Sequence, residues 1–181
     1  MRHGEIWPED GMLERDIGVF RVPWEDVMKV PQFTIYAKSA GVEIIPYEKR
    51  PEGKACEGRI SLRFFKMESG ALQLRFVAEP CEGFELSRMI NKVYREGGKE
   101  TLTHKFEGSE GEVVSKLTVE KYERNNKAGY ALIIQRGNDS INVSASTSHF
   151  LYAAEFLKHL SITEAWVEQD GTGKKKPGTG I

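Results

Sequence analysis

The chain has 181 residues, a formal net charge of −1 and 29% charged residues. It contains no apolar run long enough to span a bilayer, and charges and Pro8 stand near its start, where a secretory signal needs an apolar stretch. The length suits one compact domain or two small intertwined halves. The near-zero charge argues against a purely electrostatic nucleic-acid coat protein.

Residues 1–30 predict an N-terminal extension. They hold 4 basic and 7 acidic side chains, a net charge of −3. We expect the extension to pack on the rest of the chain, without forming a domain of its own. The side chains that we expect to make this contact are Trp7, Phe20, Val22, Trp24 and Val27.

Residues 31–98 predict a first repeat of four strands and one helix. Apolar and polar side chains alternate at 59–65 and 72–77, with a turn at Ser69-Gly70, and strands are also expected at 33–38 and 42–47, where the alternation is short or broken. Pro46 restricts the second segment to a strand end or a sheet edge. An amphipathic helix follows, since its apolar side chains recur at the helical period and Gly97-Gly98 ends it. Those side chains are Leu86, Met89, Ile90 and Val93.

Residues 99–168 predict a second repeat of the same kind. Strands are expected at 101–106, 116–120, 130–134 and 141–143, with turns at 125–129 and 137–139. The hydroxyls of residues 146–148 can cap the second helix. Its apolar stripe consists of Phe150, Ala153, Ala154, Leu157 and Leu160. Residues 169–181 form a glycine-rich basic tail with a net charge of +2, which we expect to be disordered.

The tandem pattern predicts an α+β fold of two ββββα units. Each strand has one apolar and one polar face, which is typical of antiparallel sheets covered on one side only. We therefore expect antiparallel sheets, each packed against one amphipathic helix.

The chain shows no defensible catalytic set. It lacks a phosphate-binding glycine loop, a Cys-x-x-Cys pair and a His-Glu-x-x-His helix, and its four histidines are scattered. We predict no enzyme activity, no metal site and no cofactor. Cys56 and Cys81 make no disulfide framework, so free thiols are favoured over a bridge and a cytoplasmic location is expected.

One polar sheet face mixes cations and rings. Alternation directs Arg63, Phe65, Gln73 and Arg75 away from the first helix, and Tyr36 and Lys38 join them if the first strand pairs in the expected register. Arginine binds phosphates, and exposed rings stack on unpaired bases. The alternative is structural: Phe65 packs under a neighbouring strand and the arginines pair with Glu43 or Glu68.

The second repeat and the tail supply further candidates for nucleic-acid binding. The corresponding face would carry Lys116 and Tyr122 with Thr118, Asn142 and Ser144, where a structural or interface role is equally favoured. Lys174, Lys175 and Lys176 in the tail can meet phosphates without a fixed geometry.

The second repeat carries a family resemblance. The segment from Gly129–Gln135 through Ser140–Ser144 into His149–Leu157 resembles the last two strands and helix of a unit in one superfamily of single-strand binders. That superfamily includes PC4, the Whirly proteins, the kinetoplastid guide-RNA-binding proteins and the PUR repeat proteins. The resemblance covers most of residues 31–165. It implies binding of single strands across sheet surfaces and assembly into dimers or tetramers through the helices.

The sequence therefore predicts a non-catalytic protein that binds single-stranded DNA or RNA, with no membrane partner, as a homo-oligomer. One alternative is a protein-interaction scaffold of the same fold, recruited through Trp7, Trp24 or Trp166. A less favoured alternative is a ligand-binding β-barrel, because the large Leu, Ile and Phe side chains suit a filled core better than a cavity.

Overall fold

The backbone forms two consecutive units of four strands and one helix. The computed structural model describes residues 29–68, 70–108, 111–124 and 127–169. Nearly all of the N-terminal extension and of the basic tail, including Lys174–Lys176, lies outside them. The first unit comprises β1 (Phe33–Tyr36), β2 (Ala40–Lys49), β3 (Glu57–Lys66), β4 (Gln73–Ala78) and α1 (Pro80–Glu96). The second comprises β5 (Lys99–Gly108), β6 (Gly111–Arg124), β7 (Lys127–Arg136), β8 (Asp139–Ala145) and α2 (Thr147–Thr163).

Each unit's strands form one antiparallel meander. The first sheet has the order β1-β2-β3-β4 and the second β5-β6-β7-β8. The predicted α+β class with two ββββα units is confirmed. In the described part of the chain the sheets stay separate, so they do not form the barrel that the least favoured alternative required.

Several strand ends differ from the prediction. β1 ends at Tyr36 because a main-chain hydrogen bond of 2.8 Å from Ala37 to Ala40 closes a tight turn. β7 begins at Lys127, so the turn before it is shorter than expected, and Gly129 pairs with Tyr122. Pro46 does lie at a sheet edge, because β1 pairs only with residues 41–44 of β2.

Both helices begin at chemically defined caps, and α1 also ends at one. Pro80 opens α1, and Glu79 and Glu82 form a capping box there, so the helix starts before its apolar stripe. Gly97 ends it with a φ of 76°, in the left-handed region. Ser146 caps α2 by accepting a hydrogen bond from the His149 amide. Among the described residues no helix combines the length and apolar character needed to cross a membrane.

One core joins the two units. Buried side chains of both sheets and both helices form a single cluster. The expectation of one helix per sheet is too simple, because α1 contacts β5 and β6 as well as β3 and β4, and it also packs against α2. The Lys92 ammonium group adds a 2.5 Å bond from α1 to Glu100 on β5, and this bond raises the pKa of Lys92. The apolar face of each helix is therefore buried partly by its own unit and partly by the other unit.

The residues after α2 return to the start of β3. Trp166 accepts a main-chain hydrogen bond of 3.0 Å from Gly58, and Glu168 donates one of 2.8 Å to Cys56. The indole of Trp166 is half-buried and donates to Glu164. Trp166 thus packs within its own chain, which leaves it less available as the anchor of the scaffold alternative. Trp7 and Trp24 lie outside the described residues.

Both cysteines are free thiols, as the sequence favoured. Cys56 is buried and its main-chain carbonyl is bonded to the returning segment, whereas Cys81 is exposed on the first turn of α1.

Candidate nucleic-acid interface

The outer face of the first sheet carries four cross-strand rows of side chains. Strand register sets these rows, because residues opposite each other on an antiparallel pair share a face. We call this surface the first-sheet face. Its rows are Tyr36, Gly41, Phe65 and Gln73; Thr34, Glu43, Arg63 and Arg75; Ile45, Ser61 and Val77; and Tyr47 and Arg59.

Two rings stand at one end of the first-sheet face. Tyr36 is 63% exposed and meets Phe65 edge-on, with 6.1 Å between the ring centres. The Phe65 side chain is half-buried, whereas the sequence predicted an exposed ring. Its ring lies over Gly41, where an added Cβ would come within 2.5 Å of it. Tyr36 is therefore the more accessible ring for stacking.

Arg63 is already paired. Its Nε lies 2.9 Å from the Glu43 carboxylate, which also accepts a bond of 2.8 Å from Gln32. The Arg63 guanidinium also lies 5.7 Å from the centre of the Phe65 ring. This is the pairing with Glu43 that the structural alternative expected, and Glu43 neutralises much of the charge of Arg63.

Of the three arginines on the first-sheet face, Arg75 is the one that forms no ion pair with a described carboxylate. In the described part of the chain no ion pair to it is present, and its guanidinium lies 5.1 Å from the centre of the Tyr47 ring. To reach Tyr47 the side chain crosses the row that contains Ser61, which is fully buried. Arg59 in the next row is paired with Glu57 and Glu79.

The remaining first-repeat candidates fall at the margin of the face. Gln73 is exposed in the same row as Phe65. Lys38 is exposed too, but it lies in the turn after β1 and not on the strand, because β1 ends at Tyr36.

The second-repeat candidates lie elsewhere. Lys116 is exposed on the outer face of the second sheet, and Tyr122, on the same strand, lies over Gly129. Tyr122 is six positions after Lys116, which is about 20 Å along a strand. Because both sheets turn their inner faces to one core, their outer faces lie on different sides of it. The structure therefore does not bring Lys116 and Tyr122 to the first-sheet face.

Three side chains near Arg75 were missed by the sequence reasoning. Tyr47 follows Pro46 in a segment where alternation looked broken. Phe106 and Arg136 come from the second repeat, and their guanidinium and ring lie 5.5 Å apart. Arg136 also donates a hydrogen bond to the main-chain carbonyl of Arg75. Only the pairing of the strands and the packing of the two sheets reveals these neighbours.

No group of three or more metal-ligating side chains is present among the described residues. His104 instead lies 2.7 Å from Glu82 and stacks on Phe76, with 4.2 Å between the ring centres.

Comparison with known proteins gives structural likeness alone. No family model and no curated sequence matches the chain. The structure of the plant transcriptional regulator PBF-2 is similar with a TM-score of 0.53, at 15% identity, over 76% of this chain and 84% of that one. The crystal structure of WHY1 from Arabidopsis thaliana aligns with a TM-score of 0.49, at 16% identity, over 77% and 93%. Both are Whirly proteins.

The fold is Whirly-like. This confirms the fold that the family resemblance implied for residues 31–165.

Proposed function

We propose that this chain binds single-stranded nucleic acid, DNA or RNA, through the first-sheet face, and that it acts by binding and not by catalysis. The observation that carries the proposal is the arrangement of rings and guanidinium groups on that face. Tyr36 and Phe65 stand at one end, and Arg75 and Tyr47 stand at the other.

The chemistry of the face suits an unpaired strand. Rings stack on bases without regard to sequence, and each stacked base contributes ~1–3 kcal/mol. Arg75 supplies a cation for phosphate, and Lys38 and Lys66 are exposed beside the rings. The sheet surface offers no helix for a major groove, so we expect duplex to bind more weakly than single strand.

The likeness to a plant transcriptional regulator supports this role at the level of the fold. The two free cysteines support the cytoplasmic location that we propose with it.

The experiment compares a labelled single strand with its duplex by fluorescence anisotropy over a range of salt concentrations. Arg75→Ala should weaken single-strand binding and flatten the slope of log K against log salt by ~0.7, because one phosphate contact is lost. Glu43→Gln should strengthen binding, because it removes a negative charge and frees Arg63.

Arg88→Ala is the matched control. It removes the same charge from an exposed site on α1, where Arg88 pairs with Glu85. Equal affinity for duplex and single strand, or equal losses in Arg75→Ala and Arg88→Ala, would contradict the proposal.

We also propose that the chain forms a homo-oligomer through its helices. Large apolar side chains on the helices are exposed, among them Phe84, Tyr94, Tyr152 and Ile162. Light scattering should give a multiple of the chain mass for the parent and a smaller mass for Ile162→Ser. A parent that stays at the mass of one chain would refute the assembly and leave the binding proposal standing.

A further inference from the structure

A groove of about 320 Å³ lies along the free edge of β4, beside the second sheet. Its volume is at the lower end of the ~300–1,000 Å³ that small-molecule sites occupy. We call it the β4-edge groove. Its lining includes Arg75, Val77, His104, Phe106, Ser115 and Arg136. Since Arg75 belongs to the first-sheet face as well, the groove continues that face.

The main chain of β4 turns hydrogen-bonding groups toward the groove. β4 is bonded to β3 on one side only. The Leu72 carbonyl accepts a 3.2 Å bond from Lys66, and main-chain groups alternate sides along an antiparallel strand. The groups of Arg75 and Val77 therefore point away from β3, a direction that the bond from Arg136 to the Arg75 carbonyl supports. The N–H and C=O of Val77 thus form a donor and acceptor pair at the groove.

Two side-chain groups of the groove lack partners. Ser115 is 2% exposed, and neither its Oγ nor the Nε of Arg136 has a hydrogen-bond partner among the described residues. A buried polar group without a partner is costly. Both atoms are closed to solvent in this arrangement. The groove therefore borders two polar groups that the described residues leave unmatched.

A ring completes the groove. Phe106 is 42% exposed, and the Arg136 guanidinium lies against it. A stacking ring, a neighbouring cation and a fixed donor and acceptor pair are the three contacts that one nucleotide needs for its base face, its phosphate and its base edge.

We propose that the β4-edge groove binds one unpaired nucleotide and discriminates among bases. The base stacks on Phe106, its polar edge meets the Val77 main chain, and Arg136 turns to the adjoining phosphate. This inference rests on the proposed function and extends it. Stacking on the first-sheet face tolerates any base, whereas a fixed donor and acceptor pair matches some base edges and leaves others unmatched.

The test measures affinities of the full chain for equal-length homopolymers of dA, dC and dT and their RNA counterparts at one salt concentration. The parent should rank them unequally. Phe106→Ala should lower affinity for the preferred base roughly 5- to 150-fold, since one stacking contact is lost. Val77→Pro removes only the outward N–H, at an edge position that tolerates proline, and should level the ranking.

Val167→Ala is the control for lost exposed apolar surface, since Val167 is exposed after α2 and does not line the groove. Thermal midpoints identify a variant that fails to fold, and Phe106→Ala keeps the test decisive if Val77→Pro does so.

Three outcomes overturn the inference. If Phe106→Ala binds every homopolymer like the parent while Tyr36→Ala binds more weakly, the groove plays no part and the proposed function stands. If the parent binds no oligonucleotide at low salt, the proposed function fails as well. If the groove captures an extended peptide while the two groove variants leave oligonucleotide binding unchanged, β4 serves strand addition instead.

Discussion

Replacement of Gly58 by alanine should detach the segment that follows α2. An added Cβ would come within 2.2 Å of the Glu164 carbonyl oxygen and 2.7 Å of the Trp166 Nε1. The nearer atom belongs to the main chain and cannot rotate away, so the segment has to move. Two main-chain hydrogen bonds, Gly58 to Trp166 and Glu168 to Cys56, are then lost.

The expected loss of stability follows from those two hydrogen bonds. At ~0.5–1.5 kcal/mol each, their loss lowers the free energy of unfolding by ~1–3 kcal/mol. The substitution also stabilises the fold by up to ~1 kcal/mol, because alanine restricts the conformations of the unfolded chain. We therefore expect a modest loss of stability but a large change in the cover over Cys56, which is 3% exposed in the parent.

The assay is the reaction of Cys56 with a thiol reagent in a Cys81→Ser background, with urea unfolding alongside. Gly58→Ala should make Cys56 react rapidly in the folded protein. Lys49→Ala, on β2 opposite Glu57, is the control and should leave the thiol protected. A Gly58→Ala variant with a protected thiol and unchanged stability would show that the returning segment is not held by this contact.

Other substitutions test the face and the helices. Gly41→Ala should push the Phe65 ring off the sheet and change single-strand affinity while the fold persists, since the closest atom, at 2.5 Å, is the far end of the Phe65 ring and the Ile35 carbonyl oxygen, at 3.1 Å, has to shift only slightly; an unaltered affinity would argue against Phe65 as a binding ring. Ser146→Ala removes the acceptor of the His149 amide and should cost ~1 kcal/mol of stability in urea unfolding, and no loss would mean that water replaces the cap. Leu157→Ala in the core should cost ~2–5 kcal/mol, and a value near that of Ser146→Ala would show a core that relaxes into the space.

Local patterns in the sequence predict the elements well. The stripe from Leu86 to Val93 and the stripe from Phe150 to Leu160 identify both helices, because burial on one side imposes the helical period. Strand ends were harder, since hydrogen bonds between distant residues set them. Pairing with Tyr122 holds Gly129 in β7 although its neighbours read as a turn.

The candidate interface is only partly readable from the sequence. Alternation gives the direction of Arg63 and Arg75, yet it cannot tell that one is paired and the other is not. That difference depends on register, which sets Glu43 opposite Arg63. The side chains around the β4-edge groove come from strands far apart in the chain, so no local sequence pattern predicts that they meet.

The shared core also bears on how the chain folds during synthesis. A ribosome delivers ~5–20 residues per second, from the N-terminus onward. When α1 emerges from the ribosome, β5, β6 and α2, against which it packs, have not yet emerged. The first ββββα unit therefore exposes apolar surface until the second unit packs against it. A nascent chain halted after residue 98 should need chaperone protection, although it already contains a complete copy of the repeat.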